Sequence, residues 1–138
     1  MTIRTRVLCT VVALLLTVAT VSAHHSNSAY DLQRIVTMKG TVTEMVFTNP
    51  HCMLRFDARN DQGEVQHWAV ETYNPLYMKR AGWTRTTLKA GDEVTITFHP
   101  ALNGATNGYI RNGDGKIVFN GRELGLSETV QTASEQQR

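Results

Sequence analysis

The chain has 138 residues, with 14 lysines and arginines against 12 aspartates and glutamates, and two cysteines. That length suits one small domain with a modest core. The near-balanced charge excludes the basic footprint of a nucleic-acid binder, and the sequence shows no second apolar span, internal repeat or low-complexity block.

Residues 1–23 read as a secretory signal. Arg4 and Arg6 form the positive start, Val7 to Val21 an apolar run, and Val21 and Ala23 the small residues that signal peptidase reads. A membrane anchor is the alternative, but a span needs ~20 apolar residues and this run is shorter. Cys9 lies inside the run after bulky Leu8, which argues against a lipoprotein site. Cleavage between Ala23 and His24 places the mature protein in the periplasm or outside the cell, with no membrane span. The leader takes Arg4, Arg6 and no acid, so the mature chain carries 12 charges of each sign. Only Cys52 survives cleavage, so no internal disulfide forms and stability must come from packing.

Residues 24–34 are polar and without period, and are expected as an extended arm. Residues 35–47 alternate, with Val36, Met38 and Val42 on one face, which predicts a half-buried strand. The alternation slips at Glu44-Met45, as a bulge would make it, and bulges bend strands as barrels require. After the break at Thr48-Asn49-Pro50, the second strand places Cys52, Leu54, Phe56 and Ala58 inward. Asp61 to Gly63 reads as a three-residue hairpin loop, and residues 64–72 as the third strand, with Trp68 and Val70 inward. This register pairs Asn60 with Glu64, Phe56 with Trp68, Leu54 with Val70, Asp57 with His67 and Met53 with Glu71.

Asn74-Pro75 predicts a short helix with asparagine as its cap and proline at its first position. Gly82 is the expected stop, with Leu76, Tyr77 and Trp83 packing on the sheet. The fourth strand is expected at 93–99, with Val94, Ile96 and Phe98 inward. Short strands follow near 109–111, 116–119 and 122–124, and residues 125–138 read as a disordered tail. The fold class is mainly β: three strands, one short helix and further strands over 35–124 match a small OB-like β-barrel. A generic β-roll is the competing architecture.

Several blocks carry a resemblance: Ala23-His24-His25-Ser26, Lys39-Gly40-Thr41-Val42, Thr48-Asn49-Pro50-His51, Trp68 to Glu71, Gly82-Trp83, Leu88-Lys89-Ala90-Gly91-Asp92 and Gly121-Arg122-Glu123-Leu124. In this order and spacing, over most of residues 22–124, the chain resembles domain of unknown function 6152, a family of small exported bacterial proteins. The resemblance implies export and a small β-barrel-like domain, and it implies no reaction. The chain departs from the usual pattern at Met53, near which an aromatic residue is common, and over residues 105–116.

A chain starting at His24 offers an α-amine and an imidazole on one residue, which close a chelate ring on a metal. His25 in second position offers a planar mode through amine, amide and imidazole. Nitrogen-rich tetragonal sites favour copper, the expected cofactor. Set against this, polar residues after a cleavage point are common, and a His-His end binds copper adventitiously. In an OB barrel the loops after strands one and four share one face, so His51 and His99 are the further candidate ligands. Their bland readings are a loop residue beside Pro50 and a strand end before Pro100. His67 lies ~20 Å from His51 along the strands and reads as a surface partner of Asp57. Cys52 reads as a buried thiol. No catalytic motif appears, so the expected role is metal binding rather than catalysis. The alternative is an accessory module that takes a small molecule or periplasmic protein without metal.

Overall fold

A computed structural model describes residues 26–126 except Asn112. The leader, its cleavage point, His24, His25 and residues 127–138 lie outside the described residues. Within them the strands are β1 (Val36–Val46), β2 (Met53–Arg59), β3 (Val65–Glu71), β4 (Glu93–Pro100), β5 (Asn107–Tyr109), β6 (Lys116–Phe119) and β7 (Arg122–Leu124). One helix, α1 (Pro75–Arg80), lies between β3 and β4. Among these residues no helix is long and apolar enough to cross a membrane.

The strands pair in the order β1-β2-β3-β5-β4, and β4 returns to β1, closing a five-stranded barrel. β3 and β5 run parallel and the other pairs antiparallel. This is the expected OB-like barrel with its helix between strands three and four. β6 lies along β4 at Val94–Thr97, β5 takes the same edge at His99–Pro100, and β7 extends β6.

Alternation decides the interior. Leu54, Phe56, Val70, Ile96 and Phe98 are fully buried, and Phe56, Trp68 and Phe98 form an aromatic cluster with centroids 5.3–6.4 Å apart. The β1 bulge falls between Val42 and Glu44, where Thr43 is the extra residue and lets Val42 and Met45 both face inward. The β2–β3 register matches the expected pairs throughout. Gly63 holds the hairpin loop at φ +81, where a side chain would be strained. Gly108 is needed for closeness: a Cβ there would run into the Phe98 ring.

One packing residue and two boundaries differ from the sequence reading. Leu76 is 60% exposed, and Met78, fully buried, is the helix residue that packs inward with Ala81. With the cap at Asn74, one turn of helix places Met78 and Ala81 on the barrel side and leaves Leu76 outside. β5 begins two residues earlier than expected, because its pairing with Ala69–Glu71 uses Asn107–Tyr109. The domain continues to Leu126, which is buried, and the Trp83 indole donates to the Gly125 carbonyl at 2.6 Å. Gly125 and Leu126 therefore belong to the packed unit and not to the tail.

Candidate functional site: the outer face beneath the N-terminal arm

Because Leu54, Val70 and Phe98 point inward, their strand neighbours point outward. Register lines up four of these: Met53 pairs with Glu71, Glu71 with Tyr109, and Tyr109 with His99. The row crosses β2, β3, β5 and β4 at the end of the barrel bearing the loops after β1 and β4.

The arm lies over this row. Ser26–Ala29 forms a single 3-10 turn, and Tyr30 then bridges to Ala101. Asp31 donates its amide to the Pro100 carbonyl at 2.9 Å, and Leu102 donates to the Ala29 carbonyl at 3.0 Å. The arm was expected to be extended and periodless, and this inner part is a built element. Its order comes from backbone groups of the loop after β4, which no side-chain pattern in the arm announces.

His51, just before β2, is 34% exposed and sets its Nδ1 against the Glu71 carboxylate, which is 15% exposed. The other Glu71 oxygen accepts a 2.9 Å hydrogen bond from the Tyr30 hydroxyl. An ionised carboxylate only accepts, so the hydrogen sits on Nδ1 and, in the neutral ring, Nε2 keeps the lone pair. The Tyr30 ring stacks on Tyr109 at 5.5 Å and 25°. Burial, and then its bond to Glu71, pushes the Tyr30 hydroxyl well above its usual pKa. One carboxylate thus holds both the histidine and the arm.

His99 behaves differently. Its side chain is 1% exposed, with Nδ1 2.8 Å from the Arg34 carbonyl and Nε2 3.2 Å from Asp114. Both nitrogens face acceptors, and only the doubly protonated ring donates to both. Arg111 grips the same Asp114 carboxylate, and that bond, aided by His99 and opposed by burial, lowers the Asp114 pKa. His99 therefore anchors the base of the arm to the β5–β6 loop and turns no lone pair to solvent.

Of the four candidate ligands, His51 is the one that this face presents with an available nitrogen, and His24 and His25 lie outside the described residues. Among the described residues no three His, Cys, Asp or Glu side chains gather in a metal-holding group. His67 is paired with Asp57 at 2.6 Å on the exposed hairpin, as the register requires. Cys52 is fully buried, and burial pushes its thiol pKa up.

The family model for a family of unknown function (DUF6152) matches residues 12–111, which is 100 of the 138 residues. The chain belongs to this family. No curated protein matches it. The DUF6152 match spans the arm and β1 to β5 and stops at Arg111, so Asp114 and the β6–β7 hairpin lie beyond it.

Sequence reasoning about this DUF6152 protein named Tyr109, with Tyr73 and Tyr77, as a candidate lining of a ligand face, and missed the roles of Glu71, Tyr30 and Asp114. A signal for Glu71 was present: the register that pairs it with Met53 also puts it one diagonal step from His51, within reach of long side chains. Nothing local announced the Tyr30–Glu71 and Asp114–His99 contacts, which span 41 and 15 residues of chain.

Proposed function

We propose that this DUF6152 protein is a copper-binding module of the periplasm or cell exterior, and that its mature N-terminus supplies the chelate. His24 provides the α-amine and imidazole, and His51 through Nε2, or His25, completes the nitrogen set. Nitrogen donors of this kind suit Cu(II), and the α-amine titrates near ~7.7–8.0, so copper displaces its proton at neutral pH. The role is binding, delivery or sensing.

The observation that carries this reading is where the arm runs. Tyr30 is docked beside His51, and six residues back along the chain is His24. A stretch of six residues spans at most ~20 Å even when fully extended, so the tether confines the amino terminus to the neighbourhood of the Glu71 carboxylate that His51 and Tyr30 share.

A competing reading has support of its own. The Tyr73 ring centroid lies 5.1 Å from that of Tyr77, and its buried hydroxyl has no hydrogen-bond partner among the described residues. An aromatic face of this sort suits a small molecule or partner protein without metal. Titrating the processed protein with Cu(II), alongside a form with one extra residue before His24, separates the two. Submicromolar binding weakened by the extension and by His51→Ala is expected. Affinity and EPR spectrum unchanged by the extension would sink the N-terminal chelate.

A further inference from the structure

We infer that Glu71 is a positioning residue that couples metal capture to docking of the N-terminal arm, with Tyr30 as the anchor; this rests on the copper reading above. The Glu71 carboxylate accepts from His51 on one oxygen and from Tyr30 on the other. The first bond fixes the His51 tautomer so that Nε2 is the ligand atom. A carboxylate behind a ligating histidine also raises its basicity, and losing such a partner typically costs ~10–100-fold in metal affinity. The second bond helps the backbone contacts of Ala29, Tyr30, Asp31 and Arg34 to hold the arm down, and so to shorten the tether that carries the chelating amine. Docked at Tyr30, the tether to His24 is six residues; with all of these contacts released it would run from β1 and be about twice as long. Doubling a flexible loop costs about threefold in effective concentration.

Two further contacts make docking a property of the metal-free protein. Tyr109, which stacks on Tyr30, pairs with Glu71 along the parallel β3–β5 ladder, and the Ile110 amide donates to the Glu71 carbonyl at 2.9 Å. The anchor and the histidine are therefore braced by the same strand pair. Neither Glu71 nor Tyr30 touches the metal. Both act through the placement of groups that do.

The test uses the processed full chain, with Cu(II) alone as the probe. Glu71→Ala is expected to lose ~10–100-fold in Cu(II) affinity, and Glu71→Gln, which keeps an oxygen for the His51 N–H, to recover most of it. Tyr30→Phe, which removes one of the arm's contacts, is expected to lose up to about threefold, the cost of releasing the whole arm. The Glu71→Ala/Tyr30→Phe pair should lose less than the product of the two, because both act through one carboxylate. In metal-free protein, Tyr30→Phe should speed hydrogen exchange at the Asp31 and Leu102 amides and leave Leu54 and Val70 unchanged. If Glu71→Ala and Tyr30→Phe bind within twofold of the parent while His51→Ala abolishes binding, the coupling is wrong and the copper reading stands. Glu71→Gln as weak as Glu71→Ala also overturns the coupling. If the extension before His24 and His51→Ala both leave Cu(II) binding unchanged, the copper reading and the coupling fall together.

Discussion

The inside of the barrel and the outer face beneath the arm are built on different rules. The interior is mostly apolar and redundant: Phe56, Trp68 and Phe98 pack on one another, and β2 and β4 each contribute several buried apolar residues at a spacing of two. The outer face is polar and depends on single links: Glu71 to Tyr30, His99 to the Arg34 carbonyl, His99 to Asp114. Loss of one interior contact leaves others in place. Loss of one outer link strands a buried donor or frees a segment. The interior should therefore respond to volume, and the outer face to pH and to the arm.

The largest effect should come from the interior. Phe98→Ala is expected to cost about 3–5 kcal/mol, read as a fall in Tm of about 4–8 °C per kcal/mol for a domain of this size. A loss below 1 kcal/mol would show that the aromatic cluster is not the core's centre. Gly108→Ala tests the same ring by crowding: about 1–3 kcal/mol is expected, with Phe98 displaced in a structure of the variant.

Next come the outer links. Asp114→Ala removes the acceptor from a His99 ring that is 1% exposed, and should cost about 1–3 kcal/mol. Denaturant unfolding measures it, and exchange at Asp31 should rise with it. The same residue sets an acid limb. Its pKa is lowered in the folded state, so its contribution is present above the ordinary carboxylate range and is lost as pH falls through the lowered value. Asp114→Asn should flatten that part of the stability–pH curve; an unchanged acid limb would contradict the Arg111 and His99 contacts.

At the alkaline end the sign is opposite. Burial pushes the Tyr73 hydroxyl up to about 12. The unfolded chain releases that proton near ~10, so stability should drain away between pH 10 and 12, and Tyr73→Phe should lessen the loss. The smallest effect belongs to the exposed hairpin. His67 is 83% exposed, and His67→Ala should change stability by no more than ~0.5 kcal/mol. A large loss there would mean that the hairpin is covered by something outside this chain.

The two regions were also unequally legible. Strand alternation and the Asp61–Gly63 loop fix the β2–β3 register, so Leu54, Phe56 and Val70 could be placed inside and His67 set aside before any coordinates. Cys52 follows from the same alternation. His51 could be singled out by its loop, and the same register sets Glu71 one diagonal step from it, but nothing in the sequence showed that Tyr30 would share that carboxylate. His99 was legible as a strand-end residue before Pro100 and as a candidate ligand near the arm; that the arm and the β5–β6 loop bury it was not legible. Leu76 was expected inward and Met78 takes that place, because so short a helix has too few residues for a periodic stripe.

Taken alone, the sequence determined the order of the elements along the chain, the inward residues of the main strands, the bulge, the hairpin register and the short capped helix, because each rests on neighbours within a few residues or on a period of two. Tertiary structure alone decided that Tyr30 and His51 meet at Glu71 and that His99 is closed off between Arg34 and Asp114. Those contacts join segments up to 65 residues apart. Barrel closure, which no local pattern encodes, is what brings them to one face.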